Sequence, residues 1–197
     1  MAGIALGIAA LITVMSVMNG FQKEVRARIL GVSSHIQIMG FDEGPVKGLA
    51  DWQPVIDSVR TNADISGVAP FVQGQGLLGY GSNFRGAMTR GILPEEEIKV
   101  ADLGRDMRAG EITSLVPKEY NIILGGALAR GLGVSIGSKL QLMIPQANMT
   151  PAGAVPRLRS FTVTGIFSSG HFEYDANLAL IHMTDAQALY QMGDNVS

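Results

Sequence analysis

Ile4 to Met18 reads IALGIAALITVMSVM, and no charged side chain occurs before Lys23. Roughly 20 apolar residues cross the hydrocarbon core of a bilayer, and the run extended to Phe21 has about that length. A cleaved signal peptide would show a basic leading region and a small-x-small cleavage site, and neither is present. A buried core helix is the remaining alternative, but such runs are usually shorter. The stretch predicts a membrane-spanning helix.

The helical pattern continues past the apolar run. Met18, Phe21, Val25 and Ile29 recur at helical spacing, with Gln22, Lys23, Glu24, Arg26 and Arg28 on the other faces. A helix from Ile4 to Leu30 would be about 40 Å long at 1.5 Å per residue, longer than the hydrocarbon layer is thick. Its last turns should project into water with one apolar stripe still to cover. That stripe suits either packing on the domain that follows or the wall of a lipid-accessible cavity. The positive-inside rule would put Lys23, Arg26 and Arg28 in the cytoplasm, but it compares two flanks and Glu24 dilutes the bias. Charge leaves the orientation open.

Outside this helix the chain reads as one substantial domain or two small lobes. The 197 residues are 47% hydrophobic, with the apolar residues concentrated at the N-terminus. A net charge of -2 without a basic block gives nucleic-acid binding no electrostatic footprint. There is no cysteine, which removes disulfides, zinc thiolate sites and thiol nucleophiles together.

Short elements of both kinds follow one another. His35 to Met39 alternates as a strand, and Asp51 reads as the N-cap of a helix carrying Trp52, Val55, Ile56 and Val59 on one side. Val68 to Val72 and Leu77 to Tyr80 are strand material, as is Asn83 to Leu93. Glu95 to Arg108 reads as a solvated loop or short helix. Asn121 to Leu124 is a strand, followed by a small-residue helix closed by Gly133. Lys139 to Ile144, Phe161 to Phe167 and Leu178 to Ile181 are further strands. Thr184-Asp185-Ala186-Gln187 has the form of a capping box for a last helix. So many short strands predict an α+β fold rather than a doubly wound sheet.

Three motifs bear on chemistry. Gly74-Gln75-Gly76-Leu77-Leu78-Gly79 matches the dinucleotide fingerprint, but strand and turn formers follow it where a helix should open. It reads as glycines in a bent strand, and no cofactor site is expected. His171-Phe172-Glu173-Tyr174-Asp175 is the best metal candidate. If extended, His171, Glu173 and Asp175 share a strand face, but nothing supplies a further ligand nearby, and a solvated edge is the preferred reading. The third is the connection Pro145 to Ser160, 16 residues between apparent hairpin partners. Hairpin loops usually have about 2–5 residues, and long ones are often functional. This one has Pro145, Pro151 and Pro156, no acid, and then Arg157 and Arg159. Prolines cut the entropy of ordering a protruding arm. A preformed arm with a cationic base and a disordered insertion both fit.

Ser16-Val17-Met18-Asn19-Gly20-Phe21, with Ile29-Leu30-Gly31 after it, resembles the first membrane helix of the lipoprotein-releasing permeases of the LolC/LolE family. The resemblance continues through Asn121-Ile122-Ile123-Leu124-Gly125, Met143-Ile144-Pro145, and Thr150-Pro151-x-Gly-x-x-Pro156-x-x-Arg159, and covers essentially the whole chain. It implies a MacB-like architecture, one membrane helix rising into a two-lobed periplasmic domain. The lobes would be residues 31–82 with 168–197 nearer the membrane and 83–167 bearing the long hairpin.

In that family the hairpin loop is a hook that grips the soluble periplasmic chaperone LolA. Carried over, the hook is Met149, Thr150, Pro151, Ala152, Gly153, Ala154, Val155, Pro156, Arg157 and Arg159. A neighbouring pad uses basic and polar side chains; Arg159 matches it, whereas Gln141 and Leu158 depart from it. Met18 and Phe21 match lipid-facing positions. The resemblance implies a non-enzymatic transport subunit of the bacterial inner membrane, with residues after about 21 in the periplasm. It also implies a partner ATPase of the LolD type that binds ATP and Mg, a second permease subunit, identical or homologous, and lipoprotein cargo among membrane lipid. This chain itself would hold no cofactor and no metal. The competing readings are a MacB-type exporter or cell-division permease and, from another class, a secreted metal-dependent enzyme.

Overall fold

The computed structural model describes the backbone of residues 2–32, 34, 36–40, 48–150 and 153–197, and side chains over most of these. Helix α1 runs from Ala2 to Val32, 31 residues and so about 46 Å at 1.5 Å per residue. Its stretch Gly3–Gln22 is long and apolar enough to cross a membrane, and none of it is buried against the protein. That exposure separates α1 from a core helix of the same composition.

The rest is a mixed helix and strand domain. Helix α2 (Trp52–Arg60) precedes the antiparallel pair β1 (Phe71–Tyr80) and β2 (Asn83–Ile92). A short helix α3 (Pro94–Glu97) and strand β3 (Met107–Ala109) lead to β4 (Asn121–Gly125) and helix α4 (Gly126–Leu132). The long strands β5 (Lys139–Thr150) and β6 (Gly153–Phe167) follow, then helix α5 (Phe172–Asn177), β7 (Leu178–His182) and helix α6 (Met183–Tyr190). The seven strands form one sheet in the order β3-β6-β4-β7-β2-β1-β5, and β5 also pairs with β6, so the order returns on itself. The lobe boundary expected between residues 82 and 83 falls in the turn of the β1–β2 hairpin. Strands β1 and β7, expected in one lobe, hydrogen-bond to β2, β4 and β5 of the other.

Central strands bury both faces, as their unbroken apolar runs require. Ile122 and Leu124 of β4, with Ala179 and Ile181 of β7, face one core that α4 and α6 cover through Leu128, Leu132, Ala186 and Leu189. Ile123, Leu178 and Leu180 face a second core, closed by Leu103, Ile112, Leu115 and Phe167. Helix α4 stops at Gly133, whose φ of 74° is the left-handed conformation that glycine adopts cheaply, and its N–H returns to the Ala129 carbonyl at 2.9 Å.

Several local expectations are corrected. Residues 36–40 form no strand, and Ile36, Ile38 and Met39 stay exposed. Alternation alone does not make a strand without a partner to pair with. Asp51 precedes α2 but sits at φ 49° with no side-chain capping bond. The cap of α6 is not Thr184 but His182, whose Nδ1 accepts the Thr184 N–H at 3.2 Å. The stretch from Glu95, read as a solvated loop or short helix, opens in the short helix α3 and holds a buried ion pair. Glu97, 1% exposed, meets Arg90 of β2 at 3.2 Å, and the Arg90 guanidinium lies 4.3 Å from the Phe71 ring centroid.

The Gly74–Gly79 motif lies wholly within β1, as a strand and not a helix opening. A Cβ at Gly74 would run into the Tyr190 ring, so this glycine lets α6 close on the sheet. His171-Phe172-Glu173-Tyr174-Asp175 is not extended, since α5 starts at Phe172, and the shared strand face does not exist. Asp175 instead accepts hydrogen bonds from the Ser168 and Ser169 hydroxyls and the Ser169 N–H at 2.8 to 3.0 Å. A carboxylate so engaged ties the β6–α5 turn together.

Candidate functional site

The connection expected to be a 16-residue loop is largely a continuation of the two strands. Lys139↔Thr162 through Ile144↔Arg157 pair residue for residue, and pairing resumes at Ala147↔Pro156 and runs on to Thr150↔Gly153. Arg157 and Pro156 are consecutive, so Pro145 and Gln146 have no opposite residues. This is a bulge, and its cause is chemical: proline has no N–H to give the ladder, and strands shed it at such points. Four further residue pairs beyond the bulge reach about 13 Å at 3.3 Å per residue. A β-ribbon replaces the choice between a preformed arm and a disordered insertion, because backbone pairing satisfies the polar groups that a bare loop would leave to water.

Of the hook residues, Met149, Thr150, Gly153, Ala154 and Val155 lie in this ribbon by backbone register. Pro151 and Ala152 lie outside the described residues. Pro156 is exposed beside the bulge. Arg157 is half-buried and donates through Nη1 to the Leu189 carbonyl of α6 at 3.2 Å, so it anchors the arm's base to the domain. Arg159 is exposed, with its guanidinium 5.5 Å from the Tyr120 ring centroid.

Tyr120 is itself placed with care. Its ring meets Phe161 edge to face at 5.6 Å, and its φ of 53°, like the 68° of Lys118, is a conformation that non-glycine residues rarely take. The Asp185 carboxylate holds both: Oδ1 accepts the Lys118 N–H at 2.8 Å and Oδ2 the Tyr120 N–H at 3.3 Å. Asp185 is 1% exposed, and burial pushes its carboxyl pKa up against the lowering pull of those two N–H groups. A line of contacts therefore runs from α6 through Asp185 and Tyr120 to Arg159. Neither Asp185 nor Tyr120 was legible as part of this site, because the two lie 65 residues apart in sequence and meet only in the fold.

The positions aligned with the pad do not share one face. Residues alternate across a strand, so Leu158 and Arg159 point to opposite sides. Gln141 and Leu158 are both exposed on the outer side, where Leu77, Met143 and Leu158 stand side by side in register across β1, β5 and β6. Leu77 is 36% and Leu158 48% exposed, with Phe84 at 52% nearby on β2. The outer foot of the arm is apolar, and the arginines lie on the other side.

The model of the MacB-like periplasmic core domain matches residues 1–197. The chain belongs to that family. Among relatives of this MacB-like domain is the lipoprotein-releasing system transmembrane protein LolC of Neisseria meningitidis serogroup B, 44% identical over 196 residues, covering 100% of this chain and 46% of that protein. The corresponding LolE of Haemophilus influenzae is 32% identical, covering 94% of this chain and 44% of its own length. The chain thus spans under half the length of these curated relatives. The periplasmic region of MacB from Actinobacillus actinomycetemcomitans shares the fold, with a TM-score of 0.50 and 13% identity over 82% of this chain and 63% of that one.

The MacB-like domain's leading helix carries the two other expected site residues. Met18 and Phe21 are 59% and 68% exposed on α1. No group of three or more potential metal ligands occurs among the described residues.

Proposed function

We propose that this chain is part of a permease subunit in an ABC transporter that releases lipoproteins from the bacterial inner membrane. In this reading α1 spans the bilayer with its C-terminal turns and the domain in the periplasm, and Met18 and Phe21 border the lipid cargo. The ribbon from Met149 to Arg159 holds the soluble chaperone LolA, which receives the lipoprotein. ATP and Mg belong to a separate LolD-like ATPase, and a second permease subunit, identical or homologous, completes the membrane part. The chain's own work is mechanical, without a catalytic residue.

The observation that carries the reading is the ribbon formed by Lys139–Thr150 and residues 153–162, in a chain 44% identical over 196 residues to a LolC protein. A hairpin prolonged past a proline bulge presents backbone and side chains to a partner at little ordering cost. The likeness to the MacB periplasmic region concerns fold alone and does not favour an exporter.

The test is transfer. Full-length protein is reconstituted in proteoliposomes with its ATPase and a triacylated lipoprotein, and ATP-dependent release to added LolA is followed. Wild type releases cargo, and a variant lacking Pro151–Pro156 keeps ATP hydrolysis but loses release. Undiminished release by that variant would reject the role given to the arm.

A further inference from the structure

The ribbon leaves the sheet at a thin place. Among the described residues, β1 supports β5 from Leu77↔Met143 to Gly79↔Gln141, and β4 meets β6 from Thr162 onward. From Ile144↔Arg157 upward the ribbon is therefore two strands alone, and such a pair is weak without a third strand or a helix against it. The bulge at Pro145 and Gln146 follows at once, and the first pair above it is Ala147↔Pro156. Pro145 and Pro156 give no N–H to the ladder at this step, and a bulge bends and twists the strand that carries it. The ladder holds the two strands together but leaves their angle to the domain to contacts at the foot.

Arg157 makes such a contact. It sits in the last pair below the bulge and shares a side with its partner Ile144, which is buried in the core that α6 covers. Its Nη1 donates to the Leu189 carbonyl at 3.2 Å. The last four carbonyls of a helix lack an intrahelical donor, and a cation there also meets the negative end of the helix dipole. Helix α6 is itself fixed to the sheet. Ala186 and Leu189 are buried in the same core, and the Tyr190 hydroxyl donates to the Gln75 carbonyl at 3.4 Å. Arg159, two residues on, is by contrast exposed over the Tyr120 ring. We propose that Arg157 is a positioning residue, which through the Leu189 carbonyl sets the direction in which the ribbon beyond the bulge projects. The inference rests on the reading of that ribbon as the holder of LolA. An arm held in one direction loses less orientational freedom on binding, and apparent affinity scales with the fraction of arms that point correctly.

The experiment uses full-length protein in nanodiscs, without LolA, in an otherwise cysteine-free background and with one labelled copy per disc. Spin labels are placed at Asn148→Cys on the ribbon and Ser135→Cys in the exposed turn between α4 and β5, and their distances are read by double electron–electron resonance. Wild type is expected to give one narrow distribution. Arg157→Met, which keeps a stem but no donor, should at least double its width, and Arg157→Lys, which keeps a charged donor, should recover part of the narrowing. Arg159→Ala should leave the width unchanged. Equal widths for Arg157→Met and wild type, or the same broadening from Arg159→Ala, overturn the proposal. The affinity of the same proteins for LolA is then measured, and Arg157→Met is expected to bind at least threefold more weakly. Weaker binding with an unchanged width would make Arg157 a direct contact of the chaperone and likewise overturn its positioning role. The width is read without LolA, so its outcome is independent of whether LolA binds the ribbon.

Discussion

Asp185 shows how much one side chain can hold in place. It ties down two residues in the left-handed region, each such conformation costing on the order of 1 kcal/mol or more. Hydrogen bonds to an ionised group are worth about 1.5–3 kcal/mol each. Asp185→Ala should therefore lower stability by about 2–4 kcal/mol in urea unfolding, and Asp185→Asn, which keeps one acceptor, by about half as much. His182 gives a second prediction at this scale. Burial lowers its pKa from 6.5, more than the nearby Asp185 charge raises it, and only the neutral ring can accept the Thr184 N–H. A depressed pKa means that its contribution is complete above pH 6.5 and is lost as pH falls through the folded value. Glu97 and Asp185, both raised by burial, act in the opposite sense above their ordinary values of 4.5 and 3.8. Thermal melts between about pH 7.5 and 5.5 should show wild type losing stability. His182→Asn, which still offers a capping oxygen, should flatten that slope.

At the scale of elements, sequence reasoning found what local pattern determines and missed what tertiary contact determines. Strands β2, β4 and β7 and helices α2 and α4 announce themselves through periodicity, and Gly133 through its place after the last apolar helical residue. The run from Pro145 to Ser160 read as a connection between two strands, yet Pro145 falls in a bulge and strand pairing resumes beyond it, because the pairing on either side outweighs one lost N–H. The residues from His35 to Met39 alternate but form no described strand. The arm's anchors, Arg157 on the Leu189 carbonyl and Arg159 beside Tyr120, were legible only as nearby charges. Their partners come from segments about 30 to 40 residues away in sequence. The Arg90–Glu97 pair joins β2 to α3 and was equally hidden. Burial raises the Glu97 pKa despite the guanidinium beside it, which means that desolvation outweighs attraction. Glu97→Leu alone, leaving Arg90 unpaired, should cost about 3–5 kcal/mol by denaturant midpoint. The double change Arg90→Met with Glu97→Leu should recover most of it.

The whole molecule joins an exposed apolar helix to a domain whose sheet returns on itself and whose longest ribbon continues past a bulge. The helix should insert into a bilayer by its composition, and an arginine at Leu11, near the middle of the Gly3–Gln22 span, should oppose this by about 2.5–3.5 kcal/mol. Alkaline extraction of membranes should release more of the Leu11→Arg protein than of wild type. In the proposed function the ribbon beyond Pro145 is the handle for a soluble acceptor of lipoprotein. Its most direct test is the affinity of full-length protein in nanodiscs for LolA, measured with and without Pro151–Pro156. Loss of at least tenfold in affinity, with the thermal melt of the domain preserved, is the predicted result; equal affinity for the two proteins would contradict the account.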